Sequence, residues 1–393
     1  MSDLKKQNPY IRLFFVLGLF ALSIGDAFNV LFVKEMAEGF VSPDKLELYT
    51  SIPITAMSAM MILGVISANI IVQKSGNIIP FFRISAIVTA LGMLLRGVAF
   101  HYYIMLIGFM AVGFGYGCFY IGIRFYAYLF DDEKERMETL ASISGGSFAG
   151  QCMGTVLGGI MAGQMPYRVV YLISVAILVI PLLLLNKIEI KKQLKIGSLR
   201  HSFKVFKNKR ADIYLLFMVL PLFACTIFTS YTVPLEADRF GFSSTVISAL
   251  LLGSYLISAY AGPFMTRLVV SNMSALKATF VYCIGAAFLI AVYSLGKTFP
   301  LLVLVVLMLG LMDAFGPSVM TEAYTDAGYE GDYGDGEALI IYILFTRLGM
   351  TIAPGLILAF GTTLALSGVV IIGMVLFLIS GTILNMVVQG KEK

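Results

Sequence analysis

The residues able to do chemistry in this chain are few, and they stand in apolar company. Asp26 lies in "SIGDAFN", with Ser23 and Asn29 three residues to either side, so the three form a short polar stripe on one helical face. A charge deep in hydrocarbon costs at least about 2.5–3.5 kcal/mol. A carboxyl placed there is suited to take up and release a proton, because desolvation disfavours its charged form. Asp26 is therefore a candidate for proton coupling and for substrate binding, with Asn29 beside it. The alternative is an acid that only bridges to a neighbouring helix. Asp313, in "GLMDAFGPS", precedes a Gly316-Pro317 pair that would free backbone groups and bend a helix. Glu322 follows nine residues later, half a turn round an ideal helix, so both acids face one cavity only if the break reorients the lower part. Both are proton-coupling candidates, and Asp313 is a substrate-binding one as well; Glu322 also reads as an interfacial charge.

Arg124 shares a face with Gly113, Gly117 and Tyr120, and Arg347 lies in "LFTRLGM". An arginine keeps its charge and needs a partner in lipid. Each of the two either binds an anionic group of a substrate or pairs internally with Asp26, Asp313 or Glu322. Tyr116 and Tyr120, in "YGCFYIGIRFYAYLF", join ring faces to hydroxyls, which suits an amphipathic organic molecule and, beside an acid, a cation. Thr226 and Thr229 add hydroxyls in "FACTIFTSY". The stretch "TDAGYEGDYGDGE" (325–337) alternates acids and glycines without the ligand order of a calcium loop, and reads as a solvated hinge. Cys118, Cys152, Cys225 and Cys283 fall in apolar segments and read as packing residues. His101 and His201 are the only histidines, and no phosphate loop, triad or zinc spacing occurs. The expectation is no enzyme, no catalytic residue, no metal and no cofactor beyond a proton gradient.

The elements that must position these residues follow from composition. Of 393 residues, 59% are hydrophobic and 13% charged, with mean hydropathy +0.90, which places the chain in a bilayer. About 20 apolar residues span the hydrocarbon core as a helix. Stretches near 11–33, 49–72, 79–100, 102–130, 140–162, 169–185, 213–235, 245–265, 275–295, 301–324, 338–360 and 364–388 qualify. Strands of a barrel would be shorter and alternate in polarity, so the expectation is an all-α, multi-pass membrane protein with twelve transmembrane helices. The start "MSDLKKQNPY" is short and polar and resembles no secretory signal, so the first helix is expected to stay.

Twelve crossings put both termini on one side. The loops on that side carry Lys5, Lys6, Arg12, Lys74, Arg83, Lys134, Arg136, nine basic residues between Lys187 and Arg210, Arg267, Lys277, Lys391 and Lys393, 20 of the 28. The opposite loops carry Lys34, Lys45, Arg96, Arg168, Arg239 and Lys297. The imbalance predicts both termini in the cytoplasm and accounts for the net charge of +5 without nucleic acid; the expected location is a bacterial-type plasma membrane.

The basic interval divides the chain into a six-helix bundle over 1–186, a cytoplasmic linker over 187–211 that either lies on anionic lipid or is solvated, and a second bundle over 212–393. Two similar stretches, "ERMETLASISGGSFAGQCMGT" and "GDGEALIIYILFTRLGMTIAP", occupy the same place in each half and carry small pairs four apart, Gly150/Gly154 and Gly349/Ala353. Duplicated halves are expected to form two pseudo-symmetric bundles with a binding site between them.

At "GQCMGTVLGG" the chain resembles the major facilitator superfamily (MFS) of transporters. The stretch looks like the fifth-helix antiporter motif, with Gly150, Gly154, Gly158 and Gly159 in place and Thr155 where proline is usual; the counterpart "GMTIAPG" has the proline, Pro354. The loop "NIIVQKSGN" keeps Lys74 and Gly76 of another family signature, while Asn69, Gln73 and Asn77 depart from it. The resemblance covers essentially the whole chain. It implies alternating access and brings Asp26, Arg124 and Asp313 to a central cavity. The glycine face has two readings: a tight helix contact alone, or a surface that lets the halves slide and seal in antiport.

The expected function is secondary active transport of a small organic molecule, as proton-coupled antiport in the efflux direction. The alternatives are proton-coupled symport for uptake and, in another class, a membrane receptor or lipid scramblase on the same fold. Substrate, protons and membrane lipid are the expected partners of a monomer.

Overall fold

The computed structural model describes residues 10–127, 129, 130, 133–188, 190, 193, 215, 220, 221, 224, 225, 228, 229, 232–317, 319, 320, 323, 324, 341, 344, 345, 375, 378–383 and 386. Thr226, Glu322, Arg347, Pro354, the stretch 325–337, most of the basic linker and nearly all of the last two expected spans lie outside them. The chain forms two compact units, Met1–Leu199 and Arg200–Lys393. Among the described residues there is helix and turn, and no strand.

The N-terminal unit holds α1 (Ile11–Ser23), α2 (Asn29–Glu38), α3 (Leu46–Ser75), α4 (Ile79–Val98), α5 (Tyr102–Ala127), α6 (Glu133–Ala162) and α7 (Tyr167–Leu184). In the C-terminal unit are α8 (Val233–Arg239), α9 (Ser244–Asn272), α10 (Ala275–Gly296) and α11 (Phe299–Asp313). Among the described residues, α3, α4, α5, α7 and α10 are long and apolar enough to cross a membrane. Within its unit α5 packs on both α3 and α4, and α1 on α6 and α7; in the second unit α9 and α10 pack on α11. The end of α3 is set by Gly76, whose φ of 65° is the left-handed cap that glycine adopts without penalty.

The first expected span, 11–33, is not one helix. It stops at Ser23, turns through residues 24–28 and resumes at Asn29. Within the turn the bonds tighten: Asp26 N–H donates to Ser23 O (3.0 Å) and Phe28 N–H to Gly25 O (3.1 Å). Gly25 is where the chain can turn against α7, since a methyl group there would stand 2.7 Å from the Tyr171 ring. The span expected over 301–324 is likewise interrupted, because α11 ends at Asp313 and residues 314–315 form a turn. That break comes immediately after the acid, ahead of the Gly316-Pro317 pair that was expected to cause it.

The glycines of α6 have a direct structural use. A methyl group at Gly150 would stand 2.6 Å from the Val16 carbonyl oxygen, and at Gly154 and Gly158 it would run into the carbonyl oxygens of Phe20 and Ile24. Both series step by four residues, so α1 lies along a groove in α6 at backbone contact, the small-residue packing that drives helix association in lipid. Gly159 is buried beside it.

Candidate functional site

Two polar clusters occupy helix interruptions, one in each unit. In the N-terminal unit the turn between α1 and α2 presents Asp26, which is half-buried. The Tyr116 hydroxyl, from α5, donates to Asp26 Oδ2 (3.2 Å) and lies 2.9 Å from Ser23 Oγ. Asn29 Nδ2 faces Asp26 Oδ1 at 3.5 Å. One turn along α5, the Tyr120 ring stacks on Tyr116, centroids 5.4 Å apart and planes 14° from parallel. The Tyr120 hydroxyl meets Gln151 of α6 at 3.1 Å from Oε1 and 2.9 Å from Nε2. The polar track thus runs from Gln151 through both tyrosines to Asp26.

Behind Asp26 stands a residue that the sequence reading assigned to an outer loop. Arg96 is in the last turn of α4 and is 0% exposed. Its Nη1 donates to Asn29 Oδ1 (3.2 Å), its Nη2 points at Met57 Sδ (3.3 Å), and its guanidinium lies 3.6 Å over the Phe109 ring. Asn29 Oδ1 also accepts from the Tyr171 hydroxyl of α7 (2.7 Å). The loop assignment failed because Arg96 falls near the end of an apolar run, where charge usually snorkels to the interface. An arginine flanked on both sides by apolar residues, as in "LLRGVAF", was the signal available.

Of the residues that the sequence names for solute binding, the structure joins Asp26, Asn29, Tyr116 and Tyr120 through the contacts above. It places Arg124 half-buried one turn beyond Tyr120 on α5. Gln151, Arg96 and Tyr171 were missed. Gln151 was detectable as the side-chain amide inside the glycine stretch; Tyr171 sits in a run where nothing distinguishes it from an interfacial ring.

In the C-terminal unit Asp313, also half-buried, accepts from the Tyr282 hydroxyl of α10 (3.0 Å), with Cys225 Sγ 3.1 Å from that hydroxyl and 3.8 Å from Asp313 Oδ1. Cys225, read as a packing residue, thus belongs to a polar cluster. Thr229 spends its hydroxyl on the backbone four residues earlier, donating to Cys225 O (2.6 Å). On α8, Glu236 accepts from Tyr293 (2.6 Å) and pairs with Arg239 (3.0 Å). Lys74 is exposed in the last turn of α3, next to the Gly76 cap. Among the described residues no group of three or more His, Cys, Asp or Glu could hold a metal ion.

The Major Facilitator Superfamily profile matches residues 14–354. No curated protein matches by sequence. Among solved structures, the nucleoside transporter NupG is similar with TM-score 0.74 at 14% identity, over 98% of this chain and 99% of that one. The human organic anion transporter MFSD10 (TETRAN) gives TM-score 0.68 at 14% identity, over 98% of this chain and 100% of that one. A D-xylose-proton symporter gives 0.69 at 13%, over 94% and 96%. At these identities the likeness is one of fold, the all-α, twelve-helix architecture of membrane transporters. A profile match over most of the length, on apolar helices interrupted at half-buried acids, settles the class: this chain is an integral multi-pass membrane protein, a transporter and not an enzyme, and it belongs to the Major Facilitator Superfamily.

Proposed function

We propose that the protein moves a small organic molecule by alternating access in exchange for protons, with the solute travelling outward. Asp26 is the proton carrier in this reading, Asp313 and Glu322 are further proton-coupling acids, and Tyr116, Tyr120 and Arg124 contribute to solute binding. One observation carries it. Asp26 sits at an interruption of an apolar helix, half-buried, and among the described residues it is held by a tyrosine hydroxyl and an amide, with no ion pair. A carboxylate locked to a cation would stay charged; one held by neutral donors can gain and lose a proton. Discontinuous helices are also where transporters place ion and substrate sites.

The glycine motif of α6 favours exchange over co-transport through the family resemblance. Symport is the second reading, favoured by the likeness to a D-xylose-proton symporter. The test is a proteoliposome assay with a pH-sensitive dye inside, challenged with D-xylose, a nucleoside and an organic anion under an imposed solute gradient. Proton movement opposite to the solute supports exchange; movement in the same direction establishes symport and overturns exchange. Solute flux that ignores an uncoupler and moves no protons overturns both.

A further inference from the structure

Arg96 and Asp26 are both hydrogen-bonded to the Asn29 amide, yet they form no ion pair. Asn29 stands between them. Its carbonyl oxygen takes the guanidinium N–H (3.2 Å) and the Tyr171 hydroxyl (2.7 Å), while its amide nitrogen faces Asp26 Oδ1 (3.5 Å). The amide is therefore oriented by both neighbours, oxygen to the cation and N–H to the acid. Arg96 is fixed as few arginines are, fully buried, clamped on the Phe109 ring and bonded at both terminal nitrogens, while its Nε has no partner. A buried cation at such a cost calls for a reason. A direct ion pair would hold Asp26 charged, whereas complete separation would leave only the hydrogen bonds of its neutral neighbours to favour ionisation.

We infer that Arg96 is a positioning residue that acts on Asp26 through the Asn29 amide, setting the pH at which Asp26 exchanges its proton without binding the carboxylate itself. The titratable and charged groups facing Asp26 from the packed elements, among the described residues, are Tyr116 of α5, Arg96 of α4 and Tyr171 of α7; Ser23 of α1 and Asn29 of α2 are neutral. Arg96 is the only one of these that carries charge near neutral pH. Asn29 is 6% exposed with its amide engaged at both ends, so its part is this relay. The inference rests on Asp26 as the proton carrier, and the test separates the two.

The full-length purified protein is treated with dicyclohexylcarbodiimide, which reacts with the protonated carboxyl, across a pH series. Labelling of the Asp26 peptide is read by mass spectrometry. Arg96→Gln is expected to move the labelling midpoint upward by about one pH unit, a tenfold change in proton affinity. Arg96→Met, which replaces a buried cation by an apolar chain of similar length, is expected to do the same if the glutamine variant does not fold. Arg96→Lys keeps the charge and is expected to leave the midpoint near that of the parent. An unchanged midpoint in folded Arg96→Gln or Arg96→Met overturns the inference. So does a shift in Arg96→Lys as large as in the neutral variants, because charge would not then be what Asp26 senses. If the midpoint moves as expected but solute flux in proteoliposomes is independent of pH, the relay stands and proton coupling falls.

Discussion

Three residues at spacings of three, Ser23, Asp26 and Asn29, were legible as a polar stripe because a helix face can be read from spacing alone. The partners Arg96 and Tyr171 were not, because they come from helices 67 and 142 residues away from Asn29 in sequence. Nothing local marks a tyrosine as the one whose hydroxyl turns inward. The geometry now separates their roles. Tyr116→Phe removes the hydroxyl that donates to Asp26 Oδ2 while keeping the ring stacked on Tyr120. A hydrogen bond to a charged group contributes about 1.5–3 kcal/mol, so coupled flux is expected to fall about tenfold or more with the protein still folded. Flux and melting temperature measured on the same preparation check this; equal flux in the variant would remove Tyr116 from the site. Tyr282→Phe makes the matching test at Asp313, where Cys225 remains as a weaker neighbour and a smaller loss is expected.

At the level of elements, most helices were readable to within a few residues, since an apolar run bounded by charge or glycine marks both ends in lipid. The exceptions are instructive. The interruption at residues 24–28 is hidden in hydropathy because turn residues such as Ile24, Ala27 and Phe28 are as apolar as helix; the close approach of Gly25 to Tyr171 at this turn is visible only in the folded chain. Helix α6 begins at Glu133, ahead of the apolar boundary near 140, because a polar sequence can extend a helix beyond the hydrocarbon. The glycine series was recognised as a close-contact face, but which helix it meets needed coordinates. From that contact a graded series follows. Gly158→Ala and Gly154→Ala place a methyl group into the Ile24 and Phe20 carbonyls, whereas Gly39→Ala meets nothing nearer than 3.9 Å. Overpacking of this kind costs about 1–3 kcal/mol. Lowered melting temperatures for the first two variants, and none for the third, are expected by thermal unfolding in detergent. Gly154→Leu is expected to fail to fold, and its normal expression with normal transport would mean that α1 and α6 are not in backbone contact.

For the whole molecule, the charge count survives the relocation of Arg96, since moving one arginine out of the outer loops only deepens the imbalance. Cytoplasmic termini are therefore expected, and a C-terminal fluorescent-protein fusion should glow while a C-terminal alkaline phosphatase fusion stays inactive; an active phosphatase would reverse the topology. The proposal of proton exchange gives Asp26, at a helix break, the carrier's part that Asp313 and Glu322 support, so the decisive measurement is proton flux driven by an outward solute gradient in proteoliposomes holding either the parent protein or Asp26→Asn. The account predicts that the variant binds solute and exchanges it between the two faces, yet moves no protons. Proton flux in Asp26→Asn equal to that of the parent would contradict it.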